Sequence, residues 1–207
     1  MGYVVGRFHA VVKQIELLTV LLSVQVPAYT TVAEAIEKSA ATDKPLKALI
    51  VSSPSFSHEE VIKEAADNKL AIFTEKPVAE TSNQIADLFD YAETSGVVLC
   101  CSFQRRFDPS YVAATQAVEA GRIGDPITAH LFFADHPIPP KQFMLTGGNI
   151  FMDLSAHDVD YIMYTLQDRV VSVYAVGTSS DEELAAAGVY DNATMVMNFS
   201  RGTLQID

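Results

Sequence analysis

The sequence predicts an α/β domain with a parallel sheet, followed by an α+β domain built on an open sheet. Three observations predict it. Short apolar runs at 46–51, 70–74 and 97–103 alternate with segments of helical length and amphipathic spacing. After Gly124-Asp125-Pro126 the pattern changes to longer alternating runs at 127–134, 170–177, 190–199 and 203–206. One strong helical pattern, 149–166, interrupts those later runs. Strands alternating with helices imply parallel pairing through right-handed crossovers, which the later runs do not require. The boundary falls near 122–126 and divides the chain into domains 1–123 and 124–207.

The elements follow in order. Gly6-Arg7-Phe8-His9-Ala10 is a glycine-bearing turn leading into a helix. A dinucleotide fingerprint needs three glycines at such a turn, and only the last is present. Residues 26–31 are extended, and Thr30 or Thr31 caps a helix through 33–36. The strand at 46–51 is followed by a loop at 52–58. Ser57 then caps a helix with Val61, Ile62, Ala65 and Ala66 on one face and Glu59 and Glu60 in its first turn. After the strand at 70–74, a helix over 83–94 buries Ile85, Leu88, Phe89 and Ala92 and stops at Gly96. The strand at 97–103 precedes a helix carrying Tyr111, Ala114 and Val118, which ends at Gly121.

With 207 residues and 49% hydrophobic content, the chain can bury a sizeable core. A net charge of −12 argues against nucleic acid or an anionic membrane surface as a partner. Cys100 and Cys101 are the only cysteines and are adjacent, so they form neither a loop-closing disulfide nor a metal cage. A reducing, cytoplasmic setting is expected, with no metal. Residues 15–26 are strongly apolar but carry Glu16 and fall short of the ~20 residues a spanning helix needs. They read as core.

The chemistry concentrates in two places. Asp153 and His157 stand four residues apart on the helix over 149–166, which stacks them on one face. A carboxylate beside an imidazole raises its proton affinity and fixes its orientation. Gly147 and Gly148 allow the backbone to approach a ligand. The pattern suits removal of a proton from a substrate hydroxyl. The second place is Thr74-Glu75-Lys76-Pro77-Val78, where Lys76 follows a strand end and Pro77 holds it extended. Open α/β sheets bind ligands at such ends. Each residue also has a structural reading: Lys76 as a surface lysine, His58 as a capping residue, Arg105 and Arg106 as partners of Asp108 or other carboxylates.

Four stretches, in this order, resemble the Gfo/Idh/MocA oxidoreductases. They are Glu75-Lys76-Pro77, Phe103-Gln104-Arg105-Arg106-Phe107-Asp108-Pro109, Gly121-Arg122-Ile123-Gly124-Asp125-Pro126, and Gly147-Gly148 with Asp153, His157 and Asp160. The loop Asp135-His136-Pro137-Ile138-Pro139-Pro140 and the run 174–177 are similar to the inositol-dehydrogenase branch. The resemblance implies a Rossmann-like N-terminal domain, incomplete here, and a truncated C-terminal α+β sheet domain. It implies NAD or NADP as cofactor, a small-molecule polyol or sugar as substrate, and homo-oligomer contacts through the C-terminal sheet. The reaction implied is oxidation of a secondary alcohol to a ketone.

By the same resemblance, Lys76, Asp153 and His157 are catalytic. His157 would take the hydroxyl proton while hydride leaves the same carbon for the nicotinamide. Asp153 would orient His157, and Lys76 would hold the alcohol oxygen, with the protons shared among the group. Gly6, Arg7, Ser53, Pro54, His58, Glu75, Lys76 and Gln104 would bind the cofactor. Lys76, Arg106, Asp153 and His157 would bind the substrate. The alternatives are a dehydrogenase of another sugar or a dihydrodiol, or a non-catalytic relative that binds a sugar or a protein partner.

The sequence also departs from the family pattern. The first strand and two fingerprint glycines are absent, no acidic residue ends the run at 15–23 to hold ribose hydroxyls, and the chain stops within a continuing sheet. Either the sequence is drawn from a longer protein, or the product is shortened. The locally intact elements favour the former.

Overall fold

The computed structural model describes residues 4–5, 27–147 and 150–206. Gly6 and Arg7, the apolar run at 15–23 and Gly148 lie outside the described residues. The chain divides into two compact units, Met1–Ser102 and Phe103–Asp207.

In the first unit β1 (Val4–Val5) pairs in parallel with β2 (Ala28–Tyr29). A second parallel sheet runs β3-β4-β5, from β3 (Ala48–Val51), β4 (Ala71–Thr74) and β5 (Leu99–Cys101). Helices α1 (Val32–Ala40), α2 (His58–Asp67) and α3 (Ser82–Thr94) link the strands, as the alternation predicts. Thr31 caps α1 by accepting from the Glu34 amide. Thr81 and Gln84 form a reciprocal capping box at α3, satisfying amides that a helix start leaves without partners. The strand period of two sends Val51 and Ile72 inward, onto Ile62, Ala65 and Ala66 of α2 and Leu88 of α3. Ser57 departs from the expected capping role. Residues Ser55–Ser57 already turn in a 3₁₀ helix that runs into α2, so the Ser57 hydroxyl points back to Ser53 Oγ at 2.7 Å and Pro54 O at 2.8 Å.

The second unit begins with a 3₁₀ turn at Gln104–Phe107 and α4 (Pro109–Glu119). The Asp108 carboxylate caps α4, and Pro109 fills the first turn, where a missing N–H costs nothing. There follow β6 (His130–Leu131), α5 (Lys141–Gly147), α6 (Ile150–Asp153), α7 (Ser155–Leu166), β7 (Val170–Thr178), α8 (Glu182–Ala186), β8 (Asn192–Phe199) and β9 (Gly202–Ile206). The sheet order is β6-β9-β8-β7, with antiparallel β7-β8 and β8-β9 pairs and a parallel β6-β9 pair. Ile162 of α7 packs on Met195, Met197 and Phe199 of β8, the inward positions of that strand.

Three expectations are corrected here. The units part at Ser102/Phe103, ahead of the expected 123/124 boundary, because α4 packs within the second unit. Thr115 and Thr165 hydroxyls meet at 2.8 Å, and the Tyr111 and Tyr161 rings stand edge to face at 4.6 Å. The apolar run at 127–134 pairs only over His130–Leu131. The helix expected over 149–166 is two helices, because the turn at Leu154 tightens and the His157 amide bonds Leu154 O three residues back. Among the described residues, no helix is long and apolar enough to cross a membrane.

Candidate active site

In the first unit the parallel strands β3, β4 and β5 bring their carboxyl ends to one edge, where open α/β sheets take ligands. Ser53 and Pro54 follow β3, and Glu75, Lys76 and Pro77 follow β4. The loops are tied by backbone bonds: the Glu75 amide donates to Val51 O at 2.8 Å, and the Ser102 amide to Thr74 O at 2.8 Å. Thr74 beneath them is fully buried. Lys76 is half-buried, and the Lys76–Pro77 peptide bond is cis.

His58 was expected along the cofactor, and its surroundings differ. The ring is 1% exposed; Nδ1 lies 2.9 Å from Pro77 O and Nε2 2.8 Å from Ser53 O. Both nitrogens are occupied by the loops, so His58 stands behind the ligand-facing edge.

In the second unit the residues Phe103, Arg105 and Arg106 all engage α7. Arg105, 7% exposed, donates through Nη1 to the buried Asp158 carboxylate and stacks over the Tyr111 and Phe133 rings at 5.3 and 4.9 Å. Arg106 forks onto Asp160, its Nε 2.9 Å from Oδ2 and its Nη2 on Oδ1, and lies 4.8 Å above the Tyr164 ring. The expectation that Arg106 reaches substrate meets this pairing: the guanidinium is directed at α7. Gln104 beside it is exposed. The His157 ring is 8% exposed and stands edge-on to Phe103, centroids 6.4 Å apart.

Asp153, at the end of α6, lines a cleft of about 520 Å³ within the second unit. Ser155, Asp158, Tyr190, Asn192 and Thr194 share its wall. The break at Leu154 leaves Asp153 at the end of α6, on that wall, and His157 in the first turn of α7, edge-on to Phe103. At the cleft rim, burial pulls the Asp191 carboxyl upward, but hydrogen bonds from the Ser180 side chain and amide and from Asn192 outweigh it and hold the group below its ordinary value. Asp191 therefore enters the cleft wall as a carboxylate.

Sequence reasoning missed Asp158 as a cleft residue, and the whole β8 contribution. A signal for the latter existed. Asn192 and Thr194 are polar positions in a strand whose alternate positions, Met195, Met197 and Phe199, are core. Among the described residues no group of three His, Cys, Asp or Glu side chains is placed to hold a metal.

The sequence matches the oxidoreductase family described as an NAD-binding Rossmann fold over residues 10–103 and the GFO/IDH/MocA C-terminal domain over 111–206. Myo-inositol 2-dehydrogenase of Thermotoga maritima is 32% identical over 165 residues, 79% of this chain and 49% of that protein. The scyllo-inositol 2-dehydrogenase (NAD(+)) of Bacillus subtilis is 33% identical over 161 residues, 77% of this chain and 47% of that protein. A crystal structure of a probable dehydrogenase from Thermotoga maritima superposes with a TM-score of 0.84 at 27% identity, over 100% of this chain and 61% of that one. The chain thus spans about half the length of the curated relatives it matches. With both domain types matched in order along the chain, it belongs to the Gfo/Idh/MocA oxidoreductase family.

Proposed function

We propose that this chain carries the catalytic groups of an NAD-dependent dehydrogenase that oxidises a ring hydroxyl of a cyclic polyol of inositol type to the ketone. The observation that carries this reading is the Asp153-walled cleft in the unit that also holds His157, in a chain with inositol-dehydrogenase relatives over more than three-quarters of its length. Neutral hydroxyl groups suit a wall of carboxylate, hydroxyl and amide groups, which can accept and donate in alternation. His157 is the base that accepts the hydroxyl proton, Asp153 orients substrate and base, and Lys76 stabilises charge developing on the alcohol oxygen. The residues at the strand edge fit a dinucleotide. Ser53, Pro54, Glu75 and, by family resemblance, Gln104 would hold it, and when bound it supplies the hydride acceptor. The Arg106-Asp160 pair fixes α7 and so the backbone that carries His157.

The same reading includes a cytoplasmic enzyme and a homo-oligomer formed through the C-terminal sheet. Val171, Val173, Tyr174 and Val176 on the edge strand β7 are 44–69% exposed, spread over both faces of the strand, which supports a covered sheet edge in the assembly. NADP is the alternative cofactor.

Initial rates with NAD or NADP and myo- or scyllo-inositol test the proposal. Lys76→Ala and His157→Ala are each expected to lower kcat/KM by ~10²–10⁴. Undiminished turnover in His157→Ala would falsify the assigned base. A second reading rests on the single fingerprint glycine, Gly6: a relative that binds the polyol without turnover. Calorimetric binding of myo-inositol with no NADH formed would establish it.

A further inference from the structure

We infer that His58 is a positioning residue for Lys76, a buried strut that locks the loop after β4 to the loop after β3; this rests on the reading of Lys76 as a functional residue. Among the described residues, His58 is the bulkiest polar side chain to be less than 2% exposed. A buried imidazole must find partners for its nitrogens, and His58 finds both on main-chain carbonyls of different loops, Ser53 O at 2.8 Å and Pro77 O at 2.9 Å. With one proton the ring donates to one carbonyl and packs against the other; with two it donates to both. In each state the rigid ring lies between the two loops.

The sequence makes that contact hard to replace. Proline has no N–H, so the carbonyl is the only main-chain group by which residue 77 can be anchored. Lys76 is consequently bracketed: on one side the Glu75 amide donates to Val51 O at 2.8 Å, and on the other Pro77 O meets the His58 ring. The Ser53 end is held in turn by the Ser57 hydroxyl at 2.7 Å. A side chain that merely filled space beneath the loops would need no nitrogen at both ends.

Hydrogen–deuterium exchange on the intact 207-residue chain tests the strut. In His58→Leu, which fills volume without a donor, the amides of Glu75 and residues 78–80 are expected to exchange about tenfold faster, with those of α3 unchanged. In His58→Gln, whose amide can still donate to one carbonyl, part of that protection should return. Should His58→Leu not fold, His58→Gln is compared directly with the unaltered chain and should show the same local loss at smaller size. Unchanged exchange at Glu75, or acceleration spread evenly over the first unit, would overturn the inference. Turnover of myo-inositol with NAD adds the functional readout: His58→Leu should lower kcat about tenfold and leave KM within about twofold. If the unaltered chain shows no turnover, the proposed activity fails while the exchange result still decides the strut.

Discussion

In the first unit Lys76 sits on a frame of main-chain bonds, with Glu75 N on Val51 O and Pro77 O on the His58 ring. In the second unit His157 rides on a helix pinned by side-chain charge, through Arg105-Asp158 and Arg106-Asp160. The two arrangements fail differently. A main-chain frame survives most substitutions along the loop, because each residue brings the same amide and carbonyl. A pin made of buried charges fails at a single substitution, since removing one partner leaves the other desolvated and uncompensated. Lys76 should thus be sensitive to one anchoring residue behind it, and α7 to either member of the buried Arg105-Asp158 pair.

The largest expected effect on stability tests the second half of that contrast. Arg105→Ala or Asp158→Ala should destabilise the protein by ~3–5 kcal/mol, read from urea unfolding, because both side chains are less than a tenth exposed. Replacing the pair together, Arg105→Met with Asp158→Leu, should cost much less, as neither charge is then orphaned. Single losses below about 1 kcal/mol would erase the distinction between the two units.

A smaller effect concerns shape within the cleft. A Cβ at Gly177 would lie 2.6 Å from Tyr190 Cγ, 2.8 Å from its Cδ2 and 3.0 Å from Phe151 Cε2. The near atoms belong to the base of a ring, which cannot swing aside as a flexible chain end would. Gly177→Ala should cost about 1–3 kcal/mol and displace Tyr190, a wall residue of the cleft. Thermal unfolding gives the first quantity and polyol affinity reports the second; an alanine variant equal to the unaltered chain in both would show the wall to be yielding.

These contrasts bear on what the sequence could reveal. The short apolar runs that predict β3, β4 and β5 are legible because each is local to a few consecutive residues, and Thr31 and Gly96 likewise mark helix ends by local chemistry alone. The strand-end position of Lys76 was legible for the same reason. The break at Leu154 was not, since no glycine or proline marks it and the apolar spacing runs through it unbroken. Nor was the choice of partners for Arg105 and Arg106: their carboxylates lie more than fifty residues away, and Asp108 beside them caps α4 instead. His58 reads as a helix-start residue in sequence. Its second contact, nineteen residues on at Pro77, exists only in the folded unit.

The smallest effect concerns a carboxylate of the second unit that is held mainly by hydroxyl and main-chain donors. Asp168 accepts from the Ser200 hydroxyl, from the Arg169 amide at 2.7 Å and the Arg201 amide at 3.1 Å, and from Arg201 Nε at 3.4 Å. The Ser200 hydrogen bond, opposed by partial burial and reinforced by the two amides and Arg201, holds its carboxyl at about 2 against an ordinary 3.8. A folded-state value below the unfolded one means that the unfolded chain takes up the proton more readily, so acid favours unfolding. The stabilisation is therefore complete above pH 3.8, shrinks as the pH falls, and is gone below about 2. Asp168→Asn should unfold at a lower temperature than the unaltered protein at neutral pH, and the gap should close across that acid window. A gap that stayed constant to the acid end would mean that Asp168 acts through hydrogen-bond shape rather than charge. The turn from α7 into β7 would then resemble the main-chain frame of the first unit more than the charged clamp on α7.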